Sequence, residues 1–388
     1  MMQELATKLP KPRRPFFGAG PCAKPPGWSL GRLNPMLGRS HRSLAALERI
    51  QKTLSQTKQL LQIPDSYHIG IIPGSTTGAM TSALWNFLGN RPVDVFAWDV
   101  FGYYWADEIR SCFNLPYANF FSGPIGTLPD LSVADPDHDI VFTWNGTTAG
   151  VCVPNADWLA AKRQGLVICD AISAIGAVDL PWDLLDVTAF SWQKAFGGEA
   201  GFGMLVLSPR AYEALSTYKP SWPVPRLISL RNQSGPIDGI FRGESINTLS
   251  LLAIEDYQYA LNWAHDLGGL SALIDRTNQN AHSVYTWLDD HPHLSPLALE
   301  VSTRSPTAVC FRLHSRKFLS LSEADQWRVV TRVTDLLAQY EVGYDLKNHA
   351  RSLPSFRIWT GPTVETQDIC ALLPWIDHIL LHICTDYL

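Results

Sequence analysis

The chain has 388 residues, 46% of them hydrophobic and 17% charged, enough for one large or two medium domains with an ample core. A formal net charge of −5 gives no basic footprint, so neither nucleic acid nor an anionic membrane is an expected partner. Seven scattered cysteines without Cys-x-x-Cys spacing argue against a disulfide framework or a metal site, and residues 1–14 lack the apolar core of a signal peptide, so the cytoplasm is the expected location.

Residues 1–15 are basic and proline-rich and are expected to form an extended arm. Phe16-Phe17-Gly18-Ala19-Gly20-Pro21-Cys22 is rich in turn residues. Gly38-Arg39-Ser40-His41-Arg42-Ser43 then leads into an amphipathic helix carrying Leu44, Leu47, Ile50, Leu54 and Leu61, with Pro64 closing it. Ser43 is the expected N-cap, which sets His41 and Arg42 at a helix N-terminus, where amides and dipole favour anions. Two solvated loop residues would fit the same pattern.

His68–Ile72 reads as a strand, followed by Pro73-Gly74-Ser75-Thr76-Thr77-Gly78 and a helix to Leu88. Glycine plus hydroxyls at a helix start makes a phosphate cup, although an ordinary capped helix has the same look; without Gly-Lys-Ser/Thr it is no nucleotide loop. The next strand, Val93–Trp98, ends in Phe101-Gly102-Tyr103-Tyr104-Trp105, with a helix expected from about Ala106 to Cys112. An aromatic there can stack on a flat cofactor ring or serve the core. Asp139–Trp144 is a strand ending at Asn145-Gly146-Thr147, Leu159–Gln164 is expected to be helical, and Leu166–Asp170, Val187–Ser191 and Phe202–Leu207 are strands.

This alternation predicts an α/β fold, a mainly parallel sheet flanked by helices, with ligands at the carboxyl ends of the strands. The cup, the aromatics, Thr147, Asp170 and Lys194 all fall at those ends. Residues 208–248 are proline-rich loop ending in Ile246-Asn247-Thr248, and a long helix, Leu249–His265, leads out. Helices near 270–290, 322–340 and from 366, with strands Ala308–Leu313 and Phe356–Thr360, predict a smaller α+β domain. The expected division is therefore an arm over 1–15, a large domain over 16–265 and a small one over 266–388. Arg351 and Arg357 flank Ser352-Leu353-Pro354-Ser355-Phe356; a plain surface role is the default for such an arginine, while its guanidinium fork suits a substrate carboxylate.

The chemistry concentrates on two residues. Lys194, in Ser191-Trp192-Gln193-Lys194, follows a buried strand and precedes glycines. Burial there disfavours the ammonium and frees an amine able to form an imine. Asp170, in Asp170-Ala171-Ile172-Ser173, ends another apolar run. A strand-end acid and lysine suit pyridoxal 5'-phosphate (PLP), which binds lysine as a Schiff base and wants an acid at its pyridine nitrogen.

On Ser40-His41-Arg42, Asp170-Ala171-Ile172-Ser173, Ser191-Trp192-Gln193-Lys194, Ile246-Asn247-Thr248 and Phe356-Arg357-Ile358-Trp359-Thr360-Gly361, the chain resembles the class V aminotransferase group of fold-type I PLP enzymes. Within that group it is similar to the phosphoserine aminotransferases, in a divergent archaeal and bacterial branch. The resemblance implies a homodimer with shared active sites, acting in serine biosynthesis on phosphoserine, 3-phosphohydroxypyruvate, glutamate and 2-oxoglutarate. It implies that Lys194 carries the Schiff base and Asp170 keeps the pyridinium protonated. Ser75, Thr76 and Gln193 would bind the cofactor phosphate, with Asn247 and Thr248 from a second subunit. Thr147 would contact the ring side with Ser173 nearby, and Phe101 or Trp105 would stack on the ring. His41, Arg42 and Arg351 would meet the substrate phosphate and Arg357 its carboxylate. Two departures accompany the likeness: Thr76 stands where bacterial members carry an arginine, and Asn145-Gly146-Thr147 lacks their acidic residue. The competing readings are an alanine/serine–glyoxylate-type transaminase, which needs no second phosphate site, and a PLP-fold binding protein without catalysis.

Overall fold

A computed structural model describes residues 9–383. Its central sheet collects β1 (His68–Pro73), β2 (Val93–Ala97), β3 (Ala118–Ser122) and β4 (Asp139–Thr143). A short hairpin of β5 (Asn145–Gly146) and β6 (Val151–Cys152) follows. The sheet is completed by β7 (Val167–Asp170), β8 (Val187–Phe190) and β9 (Phe202–Leu207). The strand order is β1-β9-β8-β7-β4-β2-β3, and only β9 runs against its neighbours. The sheet is thus mainly parallel, as expected. Register places Thr143 opposite Asp170 and Asp170 opposite Ala189, so β4, β7 and β8 end in one row.

Alternate residues of these strands feed two apolar layers. Phe96, Phe142, Cys169, Phe190 and Met204 face one side, where α1 (Leu44–Leu60) packs. Val95, Val141, Ile168, Ala189 and Leu205 face the other, against α2 (Ser75–Phe87) and α3 (Val100–Cys112). Burial on both faces explains why the strands read as continuous apolar runs.

Several local expectations are corrected. The helix expected over Leu159–Gln164 does not form. Residues 153–166 are turns and bends instead, because Gln164 and Gly165 donate their amides to Pro136 O and the Arg163 side chain, itself little exposed, reaches Leu184 O and Asp186. The helix expected from Ala106 starts at Val100, since Asp99 caps it by accepting from Gly102 N at 2.8 Å. Phe101 therefore stands in the first turn of α3, not at a strand end. The edge strand β3 was not foreseen. Nor was α4 (Pro209–Thr217), which opens with Ser208 as cap and Pro209 at its first position.

Beyond a two-stranded ribbon of β10 (Arg231–Asn232) and β11 (Gly235–Pro236), the helices α5 (Leu251–Leu267) and α6 (Gly269–Asp289) lead to the C-terminal body. There β12 (Leu294–Pro296), β13 (Ala308–Leu313) and β14 (Phe356–Trp359) form an antiparallel sheet with α7 (Glu323–Gln339) and α8 (Thr366–Ile383). Phe17, Ala19, Cys22 and Ala23 belong to this body's apolar cluster, and Trp359 N donates to Phe17 O at 2.9 Å. The segment thus packs with the C-terminal body, although the expected boundary grouped it with residues 16–265. The first eight residues of the expected arm lie outside the described residues. No described helix is long and apolar enough to cross a membrane.

Candidate active site

The carboxyl ends of β4, β7 and β8 open into a cavity of about 200 Å³. Asp170 is the last residue of β7 and is 2% exposed. Its Oδ1 accepts from Ile172 N at 3.1 Å and its Oδ2 from the Trp105 indole N–H at 3.0 Å. Burial raises its pKa to about 6, against the opposing pull of those two donors and of Lys194.

Lys194 lies on the loop after β8, with its side chain buried. Its Nζ donates to Thr147 Oγ1 at 2.9 Å, Thr147 in turn donates to Ser173 Oγ at 3.0 Å, and Ser173 donates to Asn145 O at 2.9 Å. The chain of hydroxyls fixes where the amine points. Burial lowers its pKa to about 8, with Cys22 opposing that shift and Arg357 reinforcing it. A free amine is therefore within reach at neutral pH.

Above the pair, the start of α2 presents Ser75, Thr76 and Thr77 to the cavity, with Gln193 beside them. Gly74 at φ +89° turns the chain there, and the first helical amides have no carbonyl partner of their own helix. The cup is close-packed from behind: a Cβ on Gly78 would lie 1.8 Å from Pro73 O, and one on Gly203 2.2 Å from Ser75 O. Thr76 Oγ1 is buried without a partner in the chain. That orphaned hydroxyl and the outward amides suit a small phosphate group.

Phe101 lines the same cavity, its centroid 5.7 Å from Lys194 Nζ. Trp105 lies one turn further along α3 and holds Asp170 through its N–H. Trp105 lines the cavity as well, so both aromatics are brought to it. Arg357, on β14, also lines the cavity, with Nε buried and unpartnered and its pKa lowered by burial. Small side chains close the space near the lysine, where a Cβ on Gly20 would lie 3.5 Å from Lys194 Cε.

Lys194, Asp170, Thr147, Ser75, Thr76, Gln193, Phe101 and Arg357 are brought together, with Ser173 one hydrogen bond behind. Other expected residues are not. Asn247 and Thr248 sit in the exposed loop before α5, Arg42 is exposed, and Arg351 lies outside the lining over the Tyr104 ring at 5.2 Å. His41 is buried at the start of α1 with Nε2 unpartnered, its pKa lowered by burial and by Arg42. Sequence reasoning missed His349, which lines the cavity edge-on to Phe101 at 5.9 Å and whose Nδ1 accepts from Arg351 N at 3.2 Å. Burial, then Arg357 and Arg351, lower its pKa. Its place two residues before Arg351 was the available signal.

No protein-family model matches the chain. It is 41% identical over 367 residues to a phosphoserine aminotransferase of Methanosarcina mazei, covering 94% of this chain and 96% of that one. The chain belongs to the phosphoserine aminotransferase family. Its fold matches a PLP-bound phosphoserine aminotransferase from Trichomonas vaginalis at a TM-score of 0.76 and 18% identity, covering 94% of this chain and all of the other. A pyridoxamine–pyruvate aminotransferase from Mesorhizobium loti fits equally well, at 0.76 and 20%, covering 97% and 98%. Fold alone therefore does not choose a substrate within this architecture; membership of the phosphoserine aminotransferase family rests on the sequence likeness.

Proposed function

We propose that the chain is a PLP-dependent phosphoserine aminotransferase, moving an amino group from L-glutamate to 3-phosphohydroxypyruvate to give 2-oxoglutarate and O-phospho-L-serine. The observation that carries this reading is the buried Lys194 amine, depressed to about 8, in one cavity with the buried Asp170 carboxylate and an open helix N-terminus. When bound, PLP supplies an electron sink and a temporary carrier for the amino group.

The chain's own residues do the rest. The amides of α2, with Ser75, Thr76 and Gln193, would hold the cofactor phosphate. Asp170 would face the pyridine nitrogen and keep it protonated. Phe101 would cover the ring, while Thr147 and Ser173 would border its side. Lys194 Nζ would hold the cofactor covalently and, once the substrate amine has displaced it, would be free to take the proton at the substrate Cα. Arg357 takes the substrate α-carboxylate; with Nε stripped of other partners, it loses little by turning to a ligand. A second anionic group, carboxylate in glutamate and phosphate in phosphoserine, meets His41, Arg42 and Arg351, with His349 at the cavity wall. Asn247, Thr248 and Arg42 lie away from this chain's own cavity, which supports a homodimer in which they serve the partner's site. Cytoplasmic residence accords with the free cysteines among the described residues.

Spectroscopy of the purified protein tests this. A visible absorbance band is expected with PLP, bleaching on O-phosphoserine and not on alanine. Equal bleaching by alanine would remove the phosphate selectivity, and no band after PLP addition would remove the whole reading.

A further inference from the structure

Three tryptophans in the described residues donate their indole N–H to a carboxylate: Trp85 to Glu108, Trp287 to Asp377 and Trp105 to Asp170. The first two bonds are partly solvated. The third is wholly buried, and it alone ends on an acid that lines the candidate active site. Buried indole N–H groups usually pair: backbone carbonyls serve Trp98, Trp182, Trp192, Trp222 and Trp375, while those of Trp28, Trp158 and Trp359 have no partner in the chain. Full burial of a bond to an ionisable acceptor, one that also lines the cavity, sets Trp105 apart.

We propose that Trp105 is a positioning residue for Asp170: its N–H fixes Oδ2 and favours the ionised carboxylate that a protonated pyridine nitrogen requires. This rests on the PLP reading above. Asp170 takes one donor on each oxygen, Ile172 N and Trp105 Nε1, so its plane is pinned at both ends and free lone pairs remain to face the ring. Trp105 and Phe101 are spaced by one helical turn and share one face of α3. The helix thereby sets the acid and the ring-covering side chain at once. The Asp99 cap, which also accepts from Thr148 Oγ1 at 3.3 Å, locks the start of α3 to the loop that carries Thr147.

The test uses the full-length apoprotein and PLP itself. Trp105→Phe keeps an aromatic side chain and deletes the donor, at the cost of some buried volume that the second background below controls for. It is expected to weaken PLP uptake about tenfold, the scale of a hydrogen bond to a charged group. Losing a donor to the charged form raises the Asp170 pKa, so the acid limb of PLP uptake against pH should move to higher pH. In an Asp170→Asn background the same substitution should change uptake less than about twofold, because the coupled charge is gone. Trp105→Met removes the same donor and is read identically should the Phe variant fail to fold. A variant with parental affinity and parental pH profile overturns the inference, as does an equal loss in both backgrounds, which marks a packing role. A parent protein that takes up no PLP overturns the underlying reading instead.

Discussion

Lys194 carries an energetic cost along with its chemistry. Its folded pKa of about 8 lies below the 10.5 of a free lysine, so at pH 7 the fold holds a buried cation it would rather release. The penalty is present in full below about pH 8 and fades as pH rises through 8 to 10.5. Lys194→Met is therefore expected to abolish both the visible band and turnover, yet to stabilise the apoprotein at pH 7 by about 1–3 kcal/mol. Urea melts at pH 7 and pH 10 check it, since the gain should shrink at the higher pH. Asp139 shows the opposite sign of charge under the same rule. It is fully buried at the start of β4, its Oδ1 accepts from Leu166 N at 2.8 Å, and its Oδ2 has no partner. Burial raises its pKa from 3.8 to about 6, so stability falls as pH rises between those values and the loss is complete above them. Asp139→Asn, which keeps the acceptor for Leu166, is expected to gain about 1–2 kcal/mol at pH 7.5 and nothing at pH 4 in thermal melts.

At the scale of elements, the cup at the start of α2 depends on backbone contact with β9. Gly203→Ala would drive a methyl into Ser75 O, 2.2 Å from the ideal Cβ, and so displace the residue that opens the cup. PLP retention on dialysis is expected to fall at least tenfold while far-ultraviolet circular dichroism stays parental. A milder element-level change is Ser43→Ala, which removes the side-chain acceptor of Ala46 N at the start of α1 and should cost about 1 kcal/mol in a urea melt. Ser43 is also a measure of what the sequence made legible. A cap, an apolar stripe and a terminating proline are local signals, and so are the runs that became β1, β4, β7, β8 and β9, because strands buried on both faces lack polar interruptions. The edge strand β3 has its residues half-exposed or exposed and gave no such run. The turn at 153–166 was lost to long-range capture of Arg163 by Asp186. In the site, Lys194 and Asp170 were legible because each ends an apolar run. The bond from Trp105 to Asp170 and the approach of His349 were not, since they join residues that only the folded sheet makes neighbours.

At the scale of the molecule, the segment over residues 17–24 ties the C-terminal body to the lysine loop. Cys22 N donates to Gln193 O at 2.8 Å, while Lys24 Nζ bridges Glu199 at 2.7 Å and buried Asp256 at 2.9 Å. Glu199 N donates to Asp256 Oδ2 at 2.7 Å, so Lys24 and the loop after Lys194 share one carboxylate. Lys24→Ala leaves that buried charge short of its cation and is expected to cost about 1–3 kcal/mol, with faster proteolysis of the N-terminal segment as the accompanying readout. The same strap sets a schedule during synthesis. Phe17 leaves the ribosome early, but Trp359, whose amide binds its carbonyl, is made 342 residues later. At about 5–20 residues per second that is a wait of roughly 20–70 s. Through that interval the sheet can form, but the apolar side chains of Phe17, Ala19, Cys22 and Ala23 have no permanent place to go. The last piece of the active-site wall to be sealed is thus among the first to be translated, and a cell making this protein must keep that greasy N-terminal stretch out of trouble until the chain is nearly complete.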